Sequence, residues 1–136
     1  MEIKAGALPS AVALSFLGDA VHSLYIRRML VARGIAKSGE LNDAARDYVT
    51  AEAQACQAKK ILPHLTEMEC DVYRRAHNSG HLNRPKHASG ADYRAATGFE
   101  AVLGMLEHTG DRGRITALME IALDDTNEEK KHDSED

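Results

Sequence analysis

The sequence predicts an all-α bundle, and three observations carry that prediction. Apolar residues recur at helical spacing through most of the first 123 residues. The periodic stretches are bounded by capping residues and breakers, and no run of residues reads as a persuasive strand. No unit of about 20 to 50 residues repeats, so the chain is not a solenoid, and aromatic residues make up only 4% of it.

Met1 to Leu8 is a short lead-in, after which Pro9 and Ser10 offer helix-start chemistry for a first helix from Ala11 to about Ala32, stopped by Gly34. Ser38 can cap a second helical region, Leu41 to Val49. Thr50 is the natural N-cap of a third, Ala51 to Leu62, which Pro63 ends. Thr66 and Glu69 have capping-box spacing and open a fourth helix that fades near Asn78. From Asn78 to Ala91 the pattern fails among Gly80, Asn83, Pro85, Ser89 and Gly90, which predicts a loop. A fifth helix runs from Tyr93 to about His108, Thr109-Gly110-Asp111 breaks it, and Ile115 to Leu123 forms the last.

These 136 residues suit a single domain, and 43% apolar residues is enough for one core. Residues 1–123 form that domain; residues 124–136 hold seven acids against two lysines and almost nothing apolar, so a disordered acidic tail is expected there. The net charge of -4 comes from this tail, since residues 1–123 carry 15 bases and 14 acids. No apolar run approaches membrane-spanning length and no signal segment precedes the first helix, which predicts a soluble, cytoplasmic protein with no membrane partner. Cys56 and Cys70 lack C-x-x-C spacing and are expected to be reduced and partly buried. Between Val72 and Phe99, Arg74, Arg75, Arg84, Lys86 and Arg94 stand with three histidines against Asp92 alone, the footprint of a surface that meets phosphate.

Two stretches carry candidate chemistry. In Leu14–Val21, helical spacing places Phe16, Leu17, Ala20, Val21 and Leu24 on one face and Ser15, Asp19, His22 and Ser23 on the other. Gly18 and Asp19 together cost roughly 1 to 1.5 kcal/mol of helix propensity relative to alanines, so helix formation gives no reason for them. In Tyr93–Leu106, Ala96, Phe99, Val102, Leu103 and Leu106 form the apolar face and Glu100 stands off it. Small residues at Thr97, Gly98, Ala101 and Gly104 would admit another backbone closely, which would let Asp19 and Glu100 converge on one cation. Taken singly, each acid has a plainer reading: Asp19 as a solvated helical acid, Glu100 as the partner of an arginine. The basic segment likewise reads as either a phosphate-contacting surface or a solvated loop.

Phe16-Leu-Gly-Asp-Ala-Val21, followed some eighty residues later by Phe99-Glu-Ala-Val-Leu-Gly104, resembles the two signature helices of the ribonuclease III catalytic domain. Tyr48-Val-Thr-Ala-Glu-Ala-Gln-Ala55 resembles a third segment of that family. The likeness is greatest to Mini-III, the short bacterial form without a double-stranded-RNA-binding domain, through Arg74-Arg75, Asn78, Pro85-Lys86 and Tyr93-Arg94. It covers about Leu8 to Leu123.

The resemblance implies an α-helical endonuclease bundle acting as a symmetric homodimer. Such an enzyme cleaves double-stranded RNA with Mg²⁺, Mn²⁺ substituting, and leaves 5′-phosphate and 3′-hydroxyl ends. It further implies large-subunit (23S) ribosomal RNA precursor as substrate, with a ribosomal protein as an additional partner. Carried over by position, Asp19 and Glu100 are the catalytic, metal-binding residues, and Arg74, Arg75, Asn78, Lys86 and Arg94 contact RNA. The chain departs from the ribonuclease III pattern at Ser15 and Thr97, where that pattern has carboxylates, and from Mini-III at His77, usually arginine there. A non-catalytic RNA-binding or ribosome-associated module on the same dimer is the alternative, and retention of both carboxylates argues against it.

Phosphodiester hydrolysis needs an acidified water, a neutralised phosphate oxygen and a stabilised leaving oxygen, all of which a divalent metal can supply. Mg²⁺ takes a few carboxylate oxygens and completes its shell with water and substrate phosphate, so two protein carboxylates suit it. Arginine and lysine contacts to phosphate add affinity without base specificity, and A-form RNA is recognised mainly by shape.

Overall fold

In the computed structural model, which describes residues 8–79 and 89–125, the described residues are helical, with short connections. Helix α1 spans Ala11–Ala32, α2 Ser38–Val49, α3 Ala51–Ile61, α4 Glu67–Ser79, α5 Gly90–His108 and α6 Arg112–Ala122; a 3-10 turn, Leu62–His64, follows α3. Among the described residues no helix is long and apolar enough to cross a membrane. The lead-in before Leu8, residues 80–88 of the loop predicted from Asn78 to Ala91, with Lys86, and the acidic tail beyond Asp125 lie outside the described residues.

The ends of the helices follow local chemistry. Ser10 Oγ accepts from Ala13 N–H at 3.1 Å, Thr50 Oγ1 from Ala53 N–H at 3.1 Å, Ser89 Oγ from Asp92 N–H at 3.0 Å, and Asp111 Oδ1 from Arg114 N–H at 3.1 Å. Gly34 and Gly110, just past α1 and α5, take φ of +87° and +81°, where glycine has no Cβ to clash. Three boundaries differ from the sequence expectation by more than one residue. Helix α2 begins at Ser38 rather than Leu41, with Lys37 at the cap position and no side-chain cap. Helices α5 and α6 each start three residues earlier than predicted, because Ser89 and Asp111 provide their caps.

Helix α5 is the axis of the fold and packs against α1, α3, α4 and α6. Phe99, Val102 and Leu103 are wholly buried in it, and Gly98, Ala101, Gly104 and Met105 on its other sides are buried as well. Ile26, Leu30, Ile61, Leu118 and Met119 complete the centre of the core.

Helix α1 corrects the predicted face. Its buried stripe is Leu14, Gly18, His22, Ile26 and Leu30, while Phe16 is 83% and Leu24 58% exposed. The reason lies in the crossing with α5. A Cβ on Gly18 would overlap the carbonyl oxygen of Glu100, and one on Gly104 would overlap that of Leu14, so the two helices meet backbone to backbone at paired glycines. Gly18 therefore has a packing role that its helix propensity concealed. Cys56 and Cys70 are free, as expected, but exposed rather than partly buried.

Candidate active site

The glycine crossing decides what lies beside it. Gly18 touches the main chain at Glu100, so the residue after Gly18 and the side chain of Glu100 emerge at the same point between α1 and α5. The Asp19 carboxyl lies beside that of Glu100 there and acts on it as a neighbouring acid. Burial, together with the adjacent Asp19 carboxyl and its charge, pushes the Glu100 pKa up to about 9, against the opposing effect of a hydrogen bond from Gln54. With its pKa raised to about 9 the Glu100 carboxyl is protonated at neutral pH, and a cation between the two acids would take that proton's place. Their hard oxygen donors fit Mg²⁺, which completes its shell with water and phosphate. Among the described residues no group of three or more His, Cys, Asp or Glu side chains is placed to hold a metal, so within them the pair has no third ligand of these types. Ser15 and Thr97 are both half-buried, and Thr97 donates its hydroxyl to the Tyr93 carbonyl at 2.8 Å.

Below the pair lies a polar layer of which the sequence pointed only to His22, close to Asp19 and open to being either a group behind it or a plain polar-face residue. His22, placed on the polar face of α1 by its sequence position, is fully buried, with Phe99 against it edge to face at 5.5 Å. Its Nε2 meets Gln57 Oε1 at 2.7 Å and its Nδ1 meets Gln54 Nε2 at 3.2 Å. Burial lowers the His22 pKa, with the Gln57 hydrogen bond and the charge of Asp19 pulling the other way. Gln54 and Gln57 are one turn apart on the buried side of α3, among Ala55, Ala58 and Ile61. Two glutamines on an otherwise apolar stripe were the available signal, and Gln54 lies inside the Tyr48–Ala55 segment already singled out.

The basic residues are arranged more loosely. Arg74 and Arg75 are exposed on α4 and share one partner, Asp71, at 2.9 and 3.1 Å. Asn78, also exposed, lies against His77, whose ring stacks on Tyr73 at 5.8 Å. Arg94 is exposed in the second turn of α5. The Tyr73 ring in turn occupies the space a side chain at Gly98 would need, which ties α4 to α5 close to Glu100.

Comparison with known proteins bears on this arrangement. Residues 12–111 match the Ribonuclease III domain. The chain belongs to the ribonuclease III family. It is 41% identical over 114 residues to the Mini-ribonuclease 3 of Streptococcus pneumoniae, covering 82% of this chain and 89% of that protein. To the Mini-ribonuclease 3 of Symbiobacterium thermophilum it is 40% identical over 111 residues, covering 82% and 85%. A crystal structure of a Fusobacterium nucleatum protein superposes with a TM-score of 0.77 at 30% identity, covering 84% of this chain and 93% of that one. Both motif stretches, Phe16–Val21 and Phe99–Gly104, fall inside the matched residues.

Proposed function

We propose that this ribonuclease III-family endoribonuclease hydrolyses double-stranded RNA with Mg²⁺ held by Asp19 and Glu100. The reading extends to large-subunit ribosomal RNA precursor as the substrate, 5′-phosphate and 3′-hydroxyl products, and residues 1–123 as the catalytic unit. The observation that carries it is the contact of the two carboxyls at the α1–α5 crossing, with Glu100 held far above the usual carboxylate range. A purely structural carboxylate gains a basic partner instead, as Glu69 does. When bound there, Mg²⁺ supplies a more acidic water and neutralises phosphate oxygens. Asp19 and Glu100 fix where it sits, through a helix crossing that the paired glycines allow no freedom to slide. Arg74, Arg75, Asn78, Lys86 and Arg94 hold backbone phosphates of the duplex and set its register. Mn²⁺ has the same preference for oxygen ligands and substitutes.

A symmetric homodimer belongs to the same reading. Val12, Phe16 and Leu24 expose apolar side chains along α1, 67%, 83% and 58% accessible, beside a groove lined by Val21, Leu24, Tyr25, Met29 and Ile115. Such a face suits a second copy of this chain, and the two-fold arrangement gives one site for each RNA strand. Phe16→Glu is expected to yield a monomer by sedimentation; an unchanged dimer would move the interface elsewhere.

The test is incubation of the pure protein and Asp19→Asn with an RNA duplex, the matching single strand and a DNA duplex, in Mg²⁺ or EDTA. Cutting of the RNA duplex alone, lost with EDTA and with Asp19→Asn, is the expected result. Full turnover by Asp19→Asn would overturn the site assignment.

A further inference from the structure

Beneath the two carboxyls runs a line of buried hydrogen bonds whose direction can be read from one end. It starts at the main-chain carbonyl of Tyr48, at the α2–α3 junction, which can only accept and does so from Gln57 Nε2 at 3.0 Å. That bond fixes the Gln57 carboxamide, whose Oε1 faces His22 Nε2 at 2.7 Å. A carboxamide oxygen has no proton to give, so His22 carries its proton on Nε2 and keeps a lone pair on Nδ1. Nδ1 therefore accepts from Gln54 Nε2, 3.2 Å away. The Gln54 amide nitrogen has a second hydrogen, and the Gln54 side chain acts on the neighbouring Glu100 carboxyl in the sense that favours its ionised form.

Every group in the line is buried, His22 at 0%, Gln54 at 4% and Gln57 at 5% exposure, and no buried side-chain nitrogen or oxygen among the described residues lacks a partner. Turning the Gln54 amide over would set its oxygen against both the His22 lone pair and the Glu100 carboxylate. The orientation is thus set by a backbone carbonyl that neither titrates nor rotates. Three buried polar side chains are a poor choice for packing alone, since apolar ones of similar volume would avoid their desolvation.

We propose that Gln54, oriented through His22 and Gln57 from the Tyr48 carbonyl, is a positioning residue that presents an N–H to Glu100 and aims its carboxylate for divalent-cation binding. This rests on the reading of Asp19 and Glu100 as the cation site. Hydrogen-bonded groups behind a metal ligand commonly contribute 10- to 100-fold to affinity, about as much as a ligand's own orientation requires. Gln54 and Gln57 would then touch neither RNA nor metal and act only through Glu100.

The test uses Mn²⁺ as the probe, with free ion counted by electron paramagnetic resonance in the RNA-free full-length protein, and thermal melts in parallel. Gln54→Met keeps length and removes the donor; it is expected to weaken Mn²⁺ binding about tenfold and to raise the Mg²⁺ needed for half-maximal cleavage similarly, with KM for RNA unchanged. Gln57→Met, which touches neither carboxyl, is expected to shift both in the same direction by a smaller factor. Unaltered Mn²⁺ affinity in folded Gln54→Met, with only a lower melting temperature, would show a structural role and overturn the proposal. Should Gln54→Met not fold, unaltered Mn²⁺ affinity in Gln57→Met overturns it equally. Wild-type protein that bound Mn²⁺ no better than Asp19→Asn would instead overturn the cation-site reading itself.

Discussion

Glu69 on α4 and Glu100 on α5 are both withdrawn from solvent, and the fold treats them in opposite ways. Glu69 receives Arg114 in a two-pronged pairing, Nε to Oε2 at 3.0 Å and Nη2 to Oε1 at 2.8 Å, and accepts the Thr66 N–H at 2.8 Å. Arg114 continues to the His64 carbonyl at 2.7 Å, tying α6 to the turn that precedes α4. The Arg114 hydrogen bonds hold the Glu69 carboxyl below its ordinary range although burial opposes them. Glu100 meets a second carboxyl, and burial and that neighbour raise it to about 9. One carboxylate is satisfied within the chain and closes the fold; the other faces a second acid, which is why we propose a cation there. The difference is the physical argument for placing chemistry at Glu100 and architecture at Glu69.

The largest expected effect separates the two by activity. Glu100→Gln or Asp19→Asn should lower duplex-RNA cleavage by roughly three orders of magnitude or more, while Glu69→Gln leaves the rate per folded molecule near wild type. Single-turnover kinetics would measure this, and comparable losses at Glu69 and Glu100 would dissolve the contrast.

Stability should run the other way. Arg114→Met strands a carboxylate that is only 4% exposed, at a cost of roughly 2 to 4 kcal/mol in denaturant unfolding. Glu100→Gln should leave cation-free stability near neutral pH about unchanged, because a carboxyl with a pKa of about 9 is already uncharged there, as the amide is.

A third prediction concerns pH. In the unfolded chain both acids titrate near 4.5. The folded pKa of Glu69 is depressed, so its contribution is present above about 4.5 and lost as pH falls through the folded value. That of Glu100 is raised, so its contribution is present below about 4.5 and is lost progressively as pH rises toward about 9. His22, depressed from 6.5, adds a loss on the acid side only. Melting temperature in EDTA should therefore fall between about pH 7 and 9, and Glu100→Gln should flatten that limb.

The smallest effect is expected on α4. Removing the acid that Arg74 and Arg75 share, by Asp71→Asn, should tighten RNA binding by less than about tenfold and steepen its salt dependence, since exposed ion pairs hold their partners weakly. Unchanged affinity and salt slope would mean that these arginines do not meet phosphate.

What was legible in the sequence follows from the range of the interaction involved. Caps at Ser10, Thr50 and Thr66 with Glu69, and the stops at Gly34 and Gly110, act within a few residues and could be read directly. The apolar face of α5 was legible too, because that helix is buried along its length. The face of α1 was not. Phe16 and Leu24 look like core and are exposed, His22 looks like surface and is buried, and only the partner helix decides between them. Gly18 read as a cost with no return until the Glu100 backbone was found against it. Asp19 and Glu100 were found as a pair through motif spacing, whereas Gln54 and Gln57 act on them across helices and have no local signature. Arg114 was invisible for the same reason, its partner Glu69 lying 45 positions away.

The most direct test of the central claim, that Asp19 and Glu100 form a cation site rather than a structural pair, is thermal unfolding near pH 8 in saturating Mg²⁺ against EDTA. A ligand that binds only the folded state raises its stability by mass action. The account predicts a Mg²⁺-dependent rise in melting temperature for the wild type that is absent in Glu100→Gln and undiminished in Glu69→Gln. An equal rise in wild type and Glu100→Gln would contradict it.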